Sequence, residues 1–184
     1  MADSPEFTPA ELALFEACLA CCTHYFEWGT GTSTIIAAQC VKGSVTSVDS
    51  SEEWITSAKH SLEGNDTVEF IHVDIGPVGA FGYPINDADT YLWPAYPAAL
   101  RSQLPDLVLI DGRFRIACAL QSLCLPAGRI FAIHDYAGRP HYHAIAQFAR
   151  EIARAERLSV FSIRADFDRD RAMALLDQTL YDPR

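Results

Sequence analysis

The sequence predicts an α/β protein with a parallel sheet covered by helices on both faces. Three observations carry this. Strand-like and helix-like apolar runs alternate along almost the whole chain. One run, "DLVLIDG" (106–112), is apolar without alternation, as in a strand buried on both faces. Helix caps and glycine stops fall between the runs. A length of 184 residues fits a single domain, 1–184, around one core.

The first element, "TPAELALFEACLA" (8–20), starts a helix with Thr8 as N-cap, Pro9 at the first helical position and Glu11 closing a capping box; Leu12, Phe15 and Leu19 then share a face. "THYFEW" (23–28) is a strand, "TSTIIAAQCV" (32–41) a helix stopped by Lys42 and Gly43, and "SVTSVDS" (44–50) the second strand. Ser50 and Glu53 cap the next helix, to about Leu62, and "TVEFIHVD" (67–74) is the third strand. "DLVLIDG" is the fourth, "RIACALQSL" (115–123) a helix and "GRIFAIHDY" (128–136) the fifth strand. Residues 142–156 read as a helix, with Ile145, Phe148, Ala149 and Ile152 inward. "LSVFSIR" (158–164) and "AMALLD" (172–177), joined by the polar "ADFDRD", read as a closing antiparallel pair.

Composition narrows the function classes. Fourteen basic against 24 acidic residues give a net charge of −10, which argues against a nucleic-acid partner, since such binding needs a basic face. No 18-residue apolar run exists for a membrane, and "MADSPEFTPAE" has no basic segment ahead of an apolar one, so a cytoplasmic location is expected. The six cysteines lie among aliphatic residues without zinc-site spacing and read as buried reduced thiols.

In parallel α/β sheets ligands sit beyond the carboxyl ends of the strands, so the residues just past each strand are the informative ones. After the first comes Glu27-Trp28-Gly29-Thr30-Gly31, whose glycines permit a tight turn and close approach of a ligand to the backbone. Asp49 lies eighteen residues past Gly31, the spacing of a ribose-binding acid. Asp74, Asp111-Gly112 and His134-Asp135 end the next three strands. A nicotinamide dinucleotide fits poorly: Thr34 stands where G-x-G-x-x-G needs its third glycine, and a pyrophosphate would be repelled by Glu27. A phosphate-free ligand with a ribose and a positive centre suits these acids better.

These segments resemble the class I S-adenosylmethionine-dependent methyltransferases across about residues 22–176: "FEWGTGTST", "VTSVDSS", "VEFIHVDI" and "PDLVLIDG" stand in order at the family's spacing. The resemblance implies a three-layer doubly wound sheet of seven strands, mostly parallel with the last antiparallel, and S-adenosyl-L-methionine as cofactor. It implies that Glu27, Gly29, Thr30 and Gly31 line the methionine half, that Asp49 binds the ribose hydroxyls with Ser50 beside it on the cofactor, that Asp74 and Ile75 flank adenine, and that Asp111 faces the methyl donor. Ser33 replaces a glycine and Ser50 an apolar residue of the pattern; Trp54 is a candidate for packing adenine.

The acceptor is read from what is missing. "DGRFR" stands where amide- and base-methylating relatives carry an Asn/Asp-Pro-Pro-aromatic motif, so the pattern looks like small-molecule O-methyltransferases. His134, Asp135 and Asp111 are the candidate catalytic residues, with His134 as base and His141 and His143 nearby. A divalent metal is not expected: Asp111 and Asp135 match two ligand positions of metal-using relatives, but Tyr136 replaces an asparagine, leaving few hard ligands. Arg113, Arg115 and Arg139 at the same rim point to an anionic small-molecule acceptor. Residues 75–97 hold Phe81, Tyr83, Tyr91, Trp93 and Tyr96, twice the chain's aromatic density of 11%, and read as a lid with Trp93 on the substrate, or alternatively as a homodimer contact. Competing readings are a methyltransferase-like binding protein without turnover and a nucleotide-binding oxidoreductase.

Overall fold

The computed structural model describes residues 7–63, 67–101, 104–125 and 130–184. Seven strands form one sheet: β1 (His24–Trp28), β2 (Ser44–Asp49), β3 (Val68–His72), β4 (Leu107–Ile110), β5 (Ile130–Ile133), β6 (Ala149–Ala155) and β7 (Leu158–Ile163). Their order across the sheet is β3-β2-β1-β4-β5-β7-β6. The first five are parallel; β7 runs antiparallel to both β5 and β6. The order reverses between β1 and β4, which places the ligand-binding crevice of such a sheet at their carboxyl ends. The doubly wound sheet of seven mostly parallel strands is as expected. The expected start of the fifth strand at Gly128 and Arg129 lies outside the described residues.

Strand parity builds the two cores. Leu107 and Leu109 pack on one face with Tyr25, Val45, Phe15, Leu19 and Ala37, the last three from α1 (Pro9–Leu19) and α2 (Thr32–Cys40). Val108 and Ile110 pack on the other with Phe26, Trp28, Phe131 and residues of α4 (Arg115–Cys124). Period-two side-chain direction thus turns one unbroken apolar run into contacts on both faces. α1 begins as its sequence predicts: Thr8 accepts from the Glu11 N–H, and Glu11 accepts from the Thr8 N–H. No described helix is long and apolar enough to cross a membrane.

Three local expectations are corrected. α3 (Glu52–Ser61) is capped by Ser51, whose hydroxyl accepts from the Trp54 N–H, while the Ser50 hydroxyl donates to Gly82 O at 3.4 Å. Residues 142–156 are not one helix. Pro140–Gln147 form a 3₁₀ segment, and from Ala149 the chain alternates: Ala149, Glu151, Ala153 and Ala155 turn inward, and Arg150, Ile152 and Arg154 outward. That period-two pattern lets β6 close a hairpin with β7 over Glu156 and Arg157, with Glu156 in the left-handed region at φ 47°. Finally, "AMALLD" belongs to helix α5 (Arg169–Thr179), not a strand. Asp168 caps it by accepting from the Arg171 N–H, and Ala172 and Leu176, four apart, bury one face. The last antiparallel strand is β7.

Residues 75–97 are compact. Short 3₁₀ turns at Ala80–Gly82 and Thr90–Ala95 fold the segment back so that Trp93 and Tyr96 join the core on the α4 face of the sheet, and the Trp93 indole donates to Ile75 O at 3.1 Å.

Candidate functional site

A cleft of about 270 Å³ opens at the carboxyl ends of β1, β2, β4 and β5. Its floor is the turn after β1. Gly29 has φ +105°, and a Cβ there would lie 2.6 Å from the Gly112 N and 2.8 Å from the Asp111 carbonyl carbon. The ends of β1 and β4 therefore touch backbone to backbone, which only glycine allows. Gly31 is different from the usual reason for a second glycine: its φ is 179°, ordinary extended backbone, and a Cβ would meet nothing within 4 Å. It leaves open space on the cleft side of the loop.

Asp49 ends β2 and walls the cleft with Thr30 and Ser50. Its Oδ2 accepts from the Thr30 N–H and its Oδ1 from the Ser51 N–H, each at 2.8 Å. The loop and the acid are thereby locked together. Burial pushes the Asp49 carboxyl up, against the pull of those N–H groups and of Arg113.

Glu27 does not reach the cleft. Strand parity turns it to the same face as Tyr25, opposite Ser47 in the β1–β2 register and under the start of α2. It is fully buried and accepts from the hydroxyls of Tyr25, Ser33, Ser47 and Thr34. Burial pushes its carboxyl up to about 7, although all four hydroxyls favour the ionised form. Its folded value lies above the 4.5 of an exposed glutamate, so the fold favours the protonated acid. That stabilisation is whole below pH 4.5 and is lost as pH rises through about 7. Glu27→Gln should therefore gain on the wild type by about 3 kcal/mol between pH 4.5 and 8, read by urea unfolding at both pH values. A difference that stays constant with pH would show that Glu27 is ionised throughout.

At the β4–β5 side, Asp111, Asp135, Arg115 and Arg139 wall the cleft. Arg115 is 3% exposed and committed to the protein: its guanidinium donates to Gly112 O, His134 O and Asp111 O and pairs with Asp111 Oδ1 at 3.0 Å and Asp135 Oδ2 at 3.7 Å. Arg139 donates to Asp135 Oδ2 at 2.8 Å. Burial opposes ionisation of Asp111, but Arg115 and His134 outweigh it and hold its carboxyl low.

His134 lies behind this wall, 1% exposed. Its Nδ1 is 3.3 Å from Asp111 Oδ1 and its Nε2 is 3.5 Å from Glu11 Oε1, while Phe7 meets the ring edge-on at 5.4 Å. Neither nitrogen is aligned for a hydrogen bond, so these are ion-pair contacts. Burial disfavours the imidazolium, but Asp111 and Asp135 more than compensate and raise its pKa. The expected base is thus shielded and held toward its protonated form. Asp111, His134 and Asp135 bring three ligand atoms within 4.8 Å of one another. The Arg115 guanidinium already pairs with both carboxylates there, so a metal ion would have to compete with it.

Of the other expected site residues, Thr30, Gly31, Ser50, Arg113 and Trp54 wall the cleft. Asp74 is exposed and accepts from the Gly76 N–H, and Ile75 is buried; neither is on the cleft wall. Trp93 is 4% exposed and packs on Phe114 in the core, so the aromatics of residues 75–97 at the cleft are Phe81, Tyr83 and Tyr96 instead. Glu11 was legible only as a cap. Its contacts with Arg157, 146 residues away, carry no local signal.

No protein-family model and no curated protein matches the sequence. Solved structures do. A methyltransferase-like protein from Silicibacter pomeroyi is 30% identical over 98% of this chain and 98% of its own, with a TM-score of 0.86. The N-methyltransferase NodS from Bradyrhizobium japonicum, crystallised with S-adenosyl-L-homocysteine, is 12% identical over 86% of this chain and 89% of its own, with a TM-score of 0.54. The ribosomal protein L11 methylase from Lactobacillus delbrueckii subsp. bulgaricus is 16% identical over 83% and 75%, with a TM-score of 0.54. The latter two share the fold.

Proposed function

Because the chain belongs to the class I methyltransferase family, we propose that it binds S-adenosylmethionine in the cleft and methylates an oxygen of a small, anionic, hydroxyl-bearing molecule. One observation carries the reading: the glycine turn, Asp49, and the Asp111–Asp135 rim wall a single cleft at the switch point of the sheet. The open space beside Gly31 admits a ligand against the loop, and Asp49 supplies a charged acceptor for ribose hydroxyls. When bound, the cofactor supplies a sulfonium methyl group whose leaving group is a neutral thioether, so alignment is the main demand.

The chain's own residues would align the acceptor and take its proton. Asp135 and Asp111 are part-exposed, with side chains 20% and 32% accessible, and are the groups placed to accept it. His134, behind Asp111, would hold that carboxylate in place. The absence of an acid-Pro-Pro-aromatic motif and the charge of −10 support a small acceptor over a nucleic acid.

The test is calorimetry with S-adenosyl-L-homocysteine. Asp49→Ala should weaken binding by about 1.5–3 kcal/mol in a protein whose unfolding curve is followed alongside. Unchanged affinity in a folded variant would sink the ribose assignment. A second reading, cofactor binding without turnover, is favoured by the isolation of His134 from the cleft. Methyl transfer to any member of a set of hydroxy acids and phenols would exclude it.

A further inference from the structure

We infer that Arg113 is the anion-recognition residue of the cleft and takes two oxygens of an oxyanion, a carboxylate or phosphoryl group, carried by the methyl acceptor. This rests on the cleft being the site of methyl transfer.

Arg113 comes after the Asp111-Gly112 turn that ends β4, walls the cleft, and is 6% exposed. Its Nε and Nη1 have no hydrogen-bond partner among the described residues, and no described carboxylate lies in ion-pair distance of it. The other two cleft arginines differ. Arg115 is held by three backbone carbonyls and Asp111, and Arg139 by Asp135. Nearby Asp49 turns its two oxygens to the Thr30 and Ser51 N–H groups. Asp49 and Asp111 feel its charge without contacting it, and a buried guanidinium without a contacting ion-pair partner is costly unless a ligand provides one.

The surroundings also select the shape of that ligand. The Tyr83 ring lies over the guanidinium carbon at 4.1 Å and covers one face of the plane. Nε and Nη1 lie beneath the surface, so an anion must shift part of this cover to meet the fork of N–H donors at the guanidinium edge, which matches two oxygens of one anion. Burial and the neighbouring Arg115 charge push the Arg113 guanidinium down, and a bound oxyanion would reverse that. Tyr83 comes from the segment between β3 and β4, so an anion on Arg113 would also tie that segment to the end of β4.

The experiment is calorimetry on the full chain and on Arg113→Met and Arg113→Lys, with inorganic phosphate, malonate, S-adenosyl-L-homocysteine and 5′-methylthioadenosine as titrants. The expected result is that wild type binds phosphate or malonate, with and without S-adenosyl-L-homocysteine present. Arg113→Met should lose about tenfold or more of that affinity, and Arg113→Lys should lose less, since it keeps the charge without the fork. S-adenosyl-L-homocysteine affinity should fall by less than the anion affinity does. If Arg113→Met instead weakens S-adenosyl-L-homocysteine but not 5′-methylthioadenosine, which lacks the carboxylate, the anion belongs to the cofactor and the acceptor assignment is overturned. Anion affinities equal in wild type and Arg113→Met, or no anion binding by wild type, overturn the inference altogether. Failure of wild type to bind S-adenosyl-L-homocysteine would remove the methyltransferase reading, while the phosphate arm would still decide the role of Arg113.

Discussion

Replacing Arg115 with methionine should destabilise the protein by about 2–4 kcal/mol, the cost of leaving three backbone carbonyls and part-exposed carboxylates without their donor. Methionine approximates the volume of the side chain, so the loss reports charge and hydrogen bonding more than a cavity. Three backbone carbonyls, those of Gly112, His134 and Asp111, would lose their donor, and Asp111 its ion pair at 3.0 Å. Asp135 would keep Arg139 but lose its 3.7 Å partner. Arg115→Lys should recover only part of the loss, because one ammonium cannot reach the carbonyls of both the Asp111-Gly112 turn and His134 as the three-nitrogen guanidinium does. Urea unfolding of the three proteins measures this. A loss below about 1 kcal/mol for the methionine variant would show that water replaces the guanidinium and that the carboxyl ends of β4 and β5 are not held by it.

Gly29→Ala is expected to cost about 2–4 kcal/mol and to abolish detectable cofactor binding, from a positive φ and a backbone clash together. At φ +105° alanine is strained wherever its Cβ points, and here it points at the Gly112 N, 2.6 Å away. Neither atom belongs to a flexible side chain, so β1 and β4 would have to part at the crevice. Gly31→Ala is the control: extended backbone with open space should keep stability within about 0.5 kcal/mol. Any loss of S-adenosyl-L-homocysteine affinity in Gly31→Ala then reports contact with the ligand. If Gly29→Ala folds and binds like wild type, the contact between strand ends does not shape the site.

The sites of these two changes show how unevenly the sequence reveals its fold. Asp111-Gly112 and Gly29-x-Gly31 are local signals, since each comes directly after an apolar strand and must be a turn. Spacing alone assigns both glycines one role, yet only Gly29 needs its missing Cβ for the backbone, a difference set by a neighbour 83 residues away. The hairpin at Glu156 was hidden because "AREIARA" and the preceding "AIAQF" fit helical spacing when read together. Pairing with β7 decides for the strand, and no short window contains that partner. "AMALLD" failed in the opposite direction: its length suits a strand, and the cap at Asp168 and packing on α4 make it a turn and a half of helix α5.

By itself the sequence determined the alternation of strands and helices, the burial of β4 on both faces, the capping of α1, and the gathering of glycines and acids at the carboxyl ends of the strands. All of these depend on side-chain period, backbone freedom or local hydrogen bonding, which act over a few residues. The tertiary structure decided which charges face a ligand. Glu27, on the signature turn, is drawn under α2 by strand parity and met by four hydroxyls. His134 is enclosed by Glu11 of the first helix and by Phe7 just ahead of that helix's cap, and Arg115 is consumed by carbonyls, while Arg113, two positions earlier in the same "DGRFR", walls the cleft with two buried nitrogens unpartnered. An arginine's partner is fixed by which oxygens the fold brings within about 3 Å, and those oxygens come from segments that no sequence window joins.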